Sequence, residues 1–216
     1  MENIMGSVIE NFPESQKDLR QRFLDKVIEL AQLEKWSGQI LQQACYDLGL
    51  SAHHYRLWFA NGVNDILSFL EAVYDQEMLT AIETTKIDGT TNKIAFALKV
   101  RILKTSKPKL LSMKNSAYYL KPANFAHGMR LAADTVDLIW RAASDRSLDF
   151  NYYSKRILLQ GVYLSSQAYY YSDSSKDSIN TEKFIESSLN QVVSSAKCLK
   201  KIPSWLNRIP VVRMFL

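Results

Sequence analysis

Residues 48–62 read LGLSAHHYRLWFANG, and the way this stretch is punctuated decides the fold. Gly49 supplies the left-handed backbone that ends a helix, Ser51 can cap the next one, and Asn61-Gly62 stops it again. Upstream, a short helix fits from about Gln39 to Leu48, and within the stretch a third short helix is expected from Ser51 through Phe59. A first helix precedes both, capped by Ser15 or Asp18, with Phe23, Val27, Ile28, Leu30 and Ala31 on its inner side, and stopped by Trp36 and Gly38. Helix, glycine turn, helix is the outline of a helix-turn-helix unit.

Beyond Gly62 the periodicity stays helical. A longer helix from Val63 to about Thr84 carries Ile66, Leu67, Leu70, Val73 and Tyr74 on one face, and IDGTTN is its turn. Further helices are expected at 92–105, 108–120, 123–143, 150–172 and 181–201, separated by SKP, LKPAN, SDRSLD and SDSSKDS, with Asp149 as an N-cap. Seven Gly and five Pro in 216 residues are few for a turn-rich barrel or sandwich. The expected fold class is all-α. Its divisions are a helix-turn-helix-like subdomain at 16–62, a helical body at 63–201 and a terminal segment at 202–216.

The net charge of +5 is unevenly placed. No acidic residue follows Glu186, whereas Lys197, Lys200, Lys201, Arg208 and Arg213 do, and these five account for the whole excess. Residues 1–186 hold 22 basic and 22 acidic residues, so the basic character belongs to a tail. Cys45 and Cys198 lie far apart in helical segments, which argues against a disulfide framework or a metal knuckle and fits a reducing compartment. Glu2, Glu10 and Glu14, with no Arg before Arg20, run opposite to a transit peptide, and no apolar run reaches the roughly 18 residues of a membrane span. The expected setting is bacterial cytoplasm.

Catalytic patterns are missing from the chain. It contains no H-E-x-x-H, no P-loop, no G-x-G-x-x-G and no G-x-S-x-G. None of the three histidines follows a Glu at the spacing of a di-iron carboxylate site, and adjacent His53 and His54 point about 100° apart on a helix. We therefore expect no enzyme, no cofactor and no metal. DNA binding is also disfavoured: between Trp36 and Gly62 the only formal charges are Asp47 and Arg56, which leaves almost no phosphate neutralisation to drive association.

Two segments carry apolar and aromatic side chains at helical spacing. In residues 97–140, Tyr118, Tyr119, Phe125, Met129 and Trp140 can line an elongated apolar cavity, or fill a core. Leu70, Leu98, Val136 and Tyr163 complete the set of cavity candidates. In SLDFNYYSKRILLQGVYLSSQAYYYSDSS, Leu158, Val162, Ser165 and Ser166 permit close packing of helices, as in a dimer seam.

Two of these stretches resemble known families. LGLSAHHYRLWFANG resembles the tetracycline-repressor type of motif, with Gly49, Ser51 and Phe59 in register, but Arg56 and Gly62 replace its usual phosphate contacts. The block DTVDLIWRAASDRSLDFNYYSKRILLQGVY, followed by DSS and TEKFIESSL, resembles the accessory lipid-binding family of coenzyme Q biosynthesis. The likeness is strong over roughly 115–190 and looser over 16–114, where Trp36, GL and GVNDIL keep the outline. Ser144 stands where a Gly commonly precedes the Asp, and FIESSL lacks the family's paired arginines.

That resemblance implies a tetracycline-repressor-like homodimer without operator binding, whose pocket holds a phospholipid or an isoprenoid quinone precursor. It implies assistance to a di-iron hydroxylase acting on a demethoxyubiquinone, met through a patch that carries over to Asp137, Trp140 and Arg141. It also implies a membrane-binding C-terminal helix. In IPSWLNRIPVVRMFL, Ile202, Trp205, Leu206 and Ile209 fall at i, i+3, i+4, i+7, with Pro203 in the first turn and Pro210 ending it, a stripe that suits a lipid interface or, alternatively, a groove of the parent domain onto which the tail folds back. Lys200, Lys201, Arg208 and Arg213 supply charge toward an anionic surface, at about 1 kcal/mol each. The leading expectation is a non-enzymatic lipid-binding accessory protein of ubiquinone biosynthesis, peripheral to the bacterial inner membrane. A ligand-responsive repressor of the tetracycline-repressor type is the alternative.

Overall fold

The computed structural model describes residues 14–105, 108–143 and 150–199. Contacts divide the chain between Leu70 and Glu71. The first unit contains α1 (Glu14–Leu33), α2 (Gly38–Asp47), a 3-10 turn (His54–Leu57) and the start of α3 (Val63–Thr84). The second holds the rest of α3, then α4 (Thr90–Lys99), a π turn (Val100–Thr105), α5 (Lys109–Tyr119), α6 (Pro122–Ala142), α7 (Phe150–Ser172), a 3-10 turn (Lys176–Ser178) and α8 (Ile179–Leu199). No strand occurs among the described residues.

In the first unit Phe23 is the centre of packing. Its ring lies 6.4 Å from Tyr55, 5.6 Å from Trp58 and 6.2 Å from Phe59, centroid to centroid. The guanidinium of Arg20 lies over Phe59 and Phe69, at 5.0 and 4.8 Å. Both glycine stops are real, with Gly49 at φ +70° and Gly62 at φ +59°. At Gly49 the chain forms a Schellman closure: Leu50 N–H donates to Cys45 O and Gly49 N–H to Tyr46 O, each at 2.9 Å.

Two local expectations fail. The helix foreseen from Ser51 through Phe59 is a single 3-10 turn, because Tyr55 and Phe59 are drawn into the core around Phe23 and Gly62 closes the segment three residues later. A one-turn element offers little of the length that a groove-reading helix uses, and Asp47 nearby is paired with Lys26 at 3.4 Å. Ser15 and Asp18 lie inside α1, which already begins at Glu14, so neither caps it.

In the second unit the core is built from the inner faces of α3, α4, α6, α7 and α8, among them Met78, Leu98, Val136, Ile139, Leu159 and Ile185. Helix α5 packs on α6, α6 on α7 and α7 on α8. Pro122 stands in the first turn of α6, where its missing N–H costs nothing, so LKPAN turns the chain tightly from α5 into α6. The segment expected as one helix over 92–105 is split, with the π turn inserting an extra residue after Lys99.

Asp173 secures the passage from α7 to α8. Its carboxylate accepts from Thr181 N–H at 2.8 Å, Thr181 Oγ1 at 2.6 Å and Ser175 N–H at 2.8 Å. The bonds from Thr181 and then Ser175 favour the charged form and hold its pKa below the ordinary carboxylate value. A depressed native pKa gives stability that is fully present above the unfolded value of about 3.9 and lost as pH falls below it. Asp173→Ala should therefore melt at lower temperature than the parent at neutral pH. Circular dichroism melts should show that gap narrowing progressively below pH of about 3.9.

Candidate functional site

The second unit encloses a cavity of about 360 Å³, within the range of small-molecule sites. Its walls follow from helical spacing. From α5 and the residue after it come Met113, Ser116, Ala117 and Leu120, from α6 Phe125, Gly128, Met129 and Ala132, and from α7 Tyr163, Leu164, Gln167 and Ala168. Leu120 and Phe125 line the cavity while remaining 72% and 50% exposed, so the cavity opens at the turn between α5 and α6.

Gly128 brings those two helices together. A Cβ built on it would lie 2.6 Å from Tyr119 Cβ and 2.8 Å from Tyr119 Cγ, closer than side chains tolerate. On α7, Tyr171 hangs its hydroxyl between Ser116 Oγ at 2.6 Å and Ser112 Oγ at 3.0 Å, which ties α7 to α5. Gln160 Nε2 donates to Met129 O at 3.0 Å and ties α7 to α6.

The inner end is polar. Arg101, fully buried, presents Nε to Asp75 Oδ1 at 2.7 Å and a terminal nitrogen to Glu71, which itself lines the cavity. Thr135 Oγ1 lies 3.0 Å from both Asp75 oxygens. Tyr74 and Tyr163 present their rings to the guanidinium at 5.3 and 6.0 Å. Burial opposes the charge on Arg101, but the carboxylates of Glu71 and Asp75 outweigh it and hold the guanidinium firmly protonated. Burial pushes the Asp75 carboxyl up, against the pull of Arg101.

Burial likewise raises the phenols, Tyr74 to about 12 and Tyr119 and Tyr163 further still, so they remain neutral donors at physiological pH. Tyr163 accepts from Gln167 Nε2 at 3.3 Å. The Tyr119 hydroxyl is buried and finds no hydrogen-bond partner among the described residues, which costs about 1–3 kcal/mol unless something else pairs with it. An apolar chamber with one unpaired donor and an ion-paired carboxylate can hold a long apolar molecule that carries an oxygenated end.

Four of the expected cavity residues converge here: Tyr119, Phe125, Met129 and Tyr163. The others lie elsewhere. Leu98 and Val136 are fully buried in the core of the second unit and stay outside the chamber's lining, Val136 lying about two turns beyond Met129 along α6, and Leu70 is buried in the core of the first unit. Tyr118 is half-buried with Lys121 Nζ 5.2 Å from its ring centre. Trp140 is also outside the lining, with Lys155 Nζ 5.4 Å from its ring and its buried Nε1 without a partner among the described residues. Asp137 bridges Arg141 and Arg156, each at 2.6 Å. The tail residues Lys200, Lys201, Trp205, Leu206, Arg208, Ile209 and Arg213, like Asp149, lie outside the described residues.

Arg101, Glu71 and Gly128 were not singled out by the sequence. Arg101 sits in ALKVRILK, where apolar neighbours on both sides were the available signal. Among the described residues no group of three or more His, Cys, Asp or Glu is placed to hold a metal ion. No helix among them is long and apolar enough to cross a membrane.

Two substitutions test this geometry. Arg101→Met should lose about 3–5 kcal/mol in urea unfolding by stranding the buried Asp75 and the partly buried Glu71, and adding Glu71→Gln and Asp75→Asn should recover part of it. Gly128→Ala should cost about 1–3 kcal/mol by forcing α5 from α6 at Tyr119.

Known proteins share both the sequence pattern and the fold. Residues 125–196 match the COQ9 family model. The chain is 25% identical over 204 residues to the mitochondrial ubiquinone biosynthesis protein COQ9 of Xenopus tropicalis, covering 88% of this chain and 63% of that protein. It is 24% identical to the human protein of the same name over the same shares, and 25% identical to a probable coq9 of Dictyostelium discoideum, covering 83% of this chain and 61% of that one. A solved TetR transcriptional regulator from Nitrosomonas europaea superposes with a TM-score of 0.65 at 18% identity, covering 82% of this chain and 98% of that one. The fold is thus the all-α, tetracycline-repressor-like one, and the resemblance to the coenzyme Q accessory family is borne out.

The same relatives correct the expected setting. Each is named mitochondrial, which overturns the reading of bacterial cytoplasm and inner membrane. That reading took its compartment from the first residues of a chain that spans only 63% of the Xenopus tropicalis relative.

Proposed function

Taking the COQ9 match over residues 125–196 as premise, we propose that this chain serves ubiquinone biosynthesis as a non-enzymatic carrier of a lipid or isoprenoid quinone precursor. The observation that carries the reading is the cavity of about 360 Å³, lined mostly by that matched region and the helix before it, with Glu71 of α3 at its inner end. Quinone precursors with isoprenoid tails have negligible solubility, so a chamber that shields them is the physical requirement for moving one from a bilayer to an enzyme.

Each apolar side chain that such a tail covers contributes at roughly 25 cal/mol per Å² removed from water. At the inner end, Tyr119 O–H would donate to a ring oxygen, while Arg101 keeps Glu71 balanced so that no lone charge faces the cargo. The hydroxylase contact is assigned to the end of α6, where Trp140 and Arg141 lie one turn beyond Asp137. The segment 202–216 is assigned to the membrane on its sequence pattern, and the compartment to the mitochondrion on that of the relatives. A homodimer is part of the same proposal.

The repressor reading draws on the fold alone. A gel shift at low salt decides it, since operator binding would appear there and weaken as salt rises.

Two measurements test the carrier. Solvent extraction of the purified protein followed by mass spectrometry should recover lipid, and incubation with quinone-bearing liposomes should load it; a protein that stays bare in both would overturn the proposal. Tyr119→Phe should fold at least as stably as the parent, yet bind a quinone about 2–10 times more weakly, the worth of one net hydrogen bond. Its affinity for a purely hydrocarbon isoprenoid should not change.

A further inference from the structure

Between Asp88 and Asp134 the chain holds nine basic residues and no acidic one. Some of that charge is spent internally, by Lys99 on Glu186 and Glu182, by Arg101 on Asp75 and Glu71, and by Lys109 on the Asp173 carbonyl at 2.6 Å. Lys104, Lys121 and Arg130 remain at the surface.

Helix α5 and the residue after it are two-faced in an unusual sense. Leu111, Ser112 and Asn115 are buried. On the opposite side, Leu110 is 53% and Met113 39% exposed, Ala117 is exposed, and Leu120 continues the row. These four fall at i, i+3, i+7 and i+10, one stripe of a helix. At 100° per residue, Lys114 and Lys121 flank the stripe on one side, and Lys109, on the other, is already held by the Asp173 carbonyl. A solvated helix would carry polar groups there. An apolar stripe bordered by lysines is the pattern of a helix lying in a lipid headgroup layer.

Its position adds the second observation. Met113, Ala117, Leu120 and Phe125 belong both to this exposed surface and to the cavity wall. We infer that α5 and the turn into α6 form a contact for an anionic lipid surface, separate from the segment 202–216, which seats the cavity's opening directly on the bilayer. The surface rests on charge and exposure, and it relies on the carrier reading only for its purpose. A cargo would then pass between bilayer and chamber without crossing water.

Vesicles of phosphatidylcholine and phosphatidylglycerol in equal parts supply the test, with the full-length protein. Partitioning of the parent should weaken as salt rises. Leu110→Glu combined with Lys121→Glu, neither of which lines the cavity, should reduce it by about tenfold or more. Uptake of a short-chain quinone from detergent should persist in that variant, which reports that chamber and fold are intact.

Hydrogen exchange on the unmodified protein gives a readout independent of any substitution. Addition of the vesicles should slow exchange over residues 109–125. Undiminished partitioning by the folded variant, or vesicle binding with no slowing over 109–125, would overturn the inference. Vesicle binding through α5 by a protein that takes up no quinone from detergent would instead sink the carrier reading and leave this surface standing.

Discussion

The second unit is organised around one buried cation. Arg101 is enclosed completely, yet it satisfies Asp75 and Glu71, two acids one turn apart on α3. A buried charge is tolerated only when its partners are close and themselves held, and Thr135 on α6 holds Asp75 in turn. One guanidinium therefore fixes α3 and α6 to the π turn that carries it. The π turn's extra residue shifts the register of the chain relative to α4, and this accompanies the inward placement of an arginine in an otherwise basic stretch.

The chamber depends on that arrangement. Glu71 reaches its inner end, and an unpaired carboxylate there would make the site hostile to anything apolar. Paired with Arg101, it contributes polarity as one arm of an ion-pair cluster and not as a lone charge. The neutral phenols of Tyr119, Tyr163 and Tyr171 extend the same character outward, until Met113, Leu120 and Phe125 replace it at the opening. The gradient from ion pair to phenol to hydrocarbon matches a molecule with an oxygenated head and an apolar tail.

Helices were legible because their signals are local. Val63–Thr84 and Phe150–Ser172 end where the turn residues said they would. The recognition-type helix was not legible, because Tyr55, Trp58 and Phe59 keep helical spacing while Phe23, thirty-odd residues earlier, decides how they pack. Four of the nine residues picked by apolar and aromatic spacing line the cavity, but spacing alone does not separate Met129, which faces the chamber, from Val136, which faces the core. Arg101 escaped because its partners lie 26 and 30 positions away. In the sequence it is one more cation in a basic run. The charge balance of residues 1–186 hid that run as well, since acids elsewhere cancel it in the total.

Gly128 acts on the chamber in a different way. The separation of α5 and α6 beside Tyr119 is set by a missing methyl group, and not by a rotamer that could swing aside. Bore and chemistry are thereby coupled: a methyl at this position pushes α5 from α6 and carries the Tyr119 hydroxyl with it, so the width of the chamber and the place of its donor shift together. The codon for residue 128 thus sets how closely two walls of the chamber approach one another.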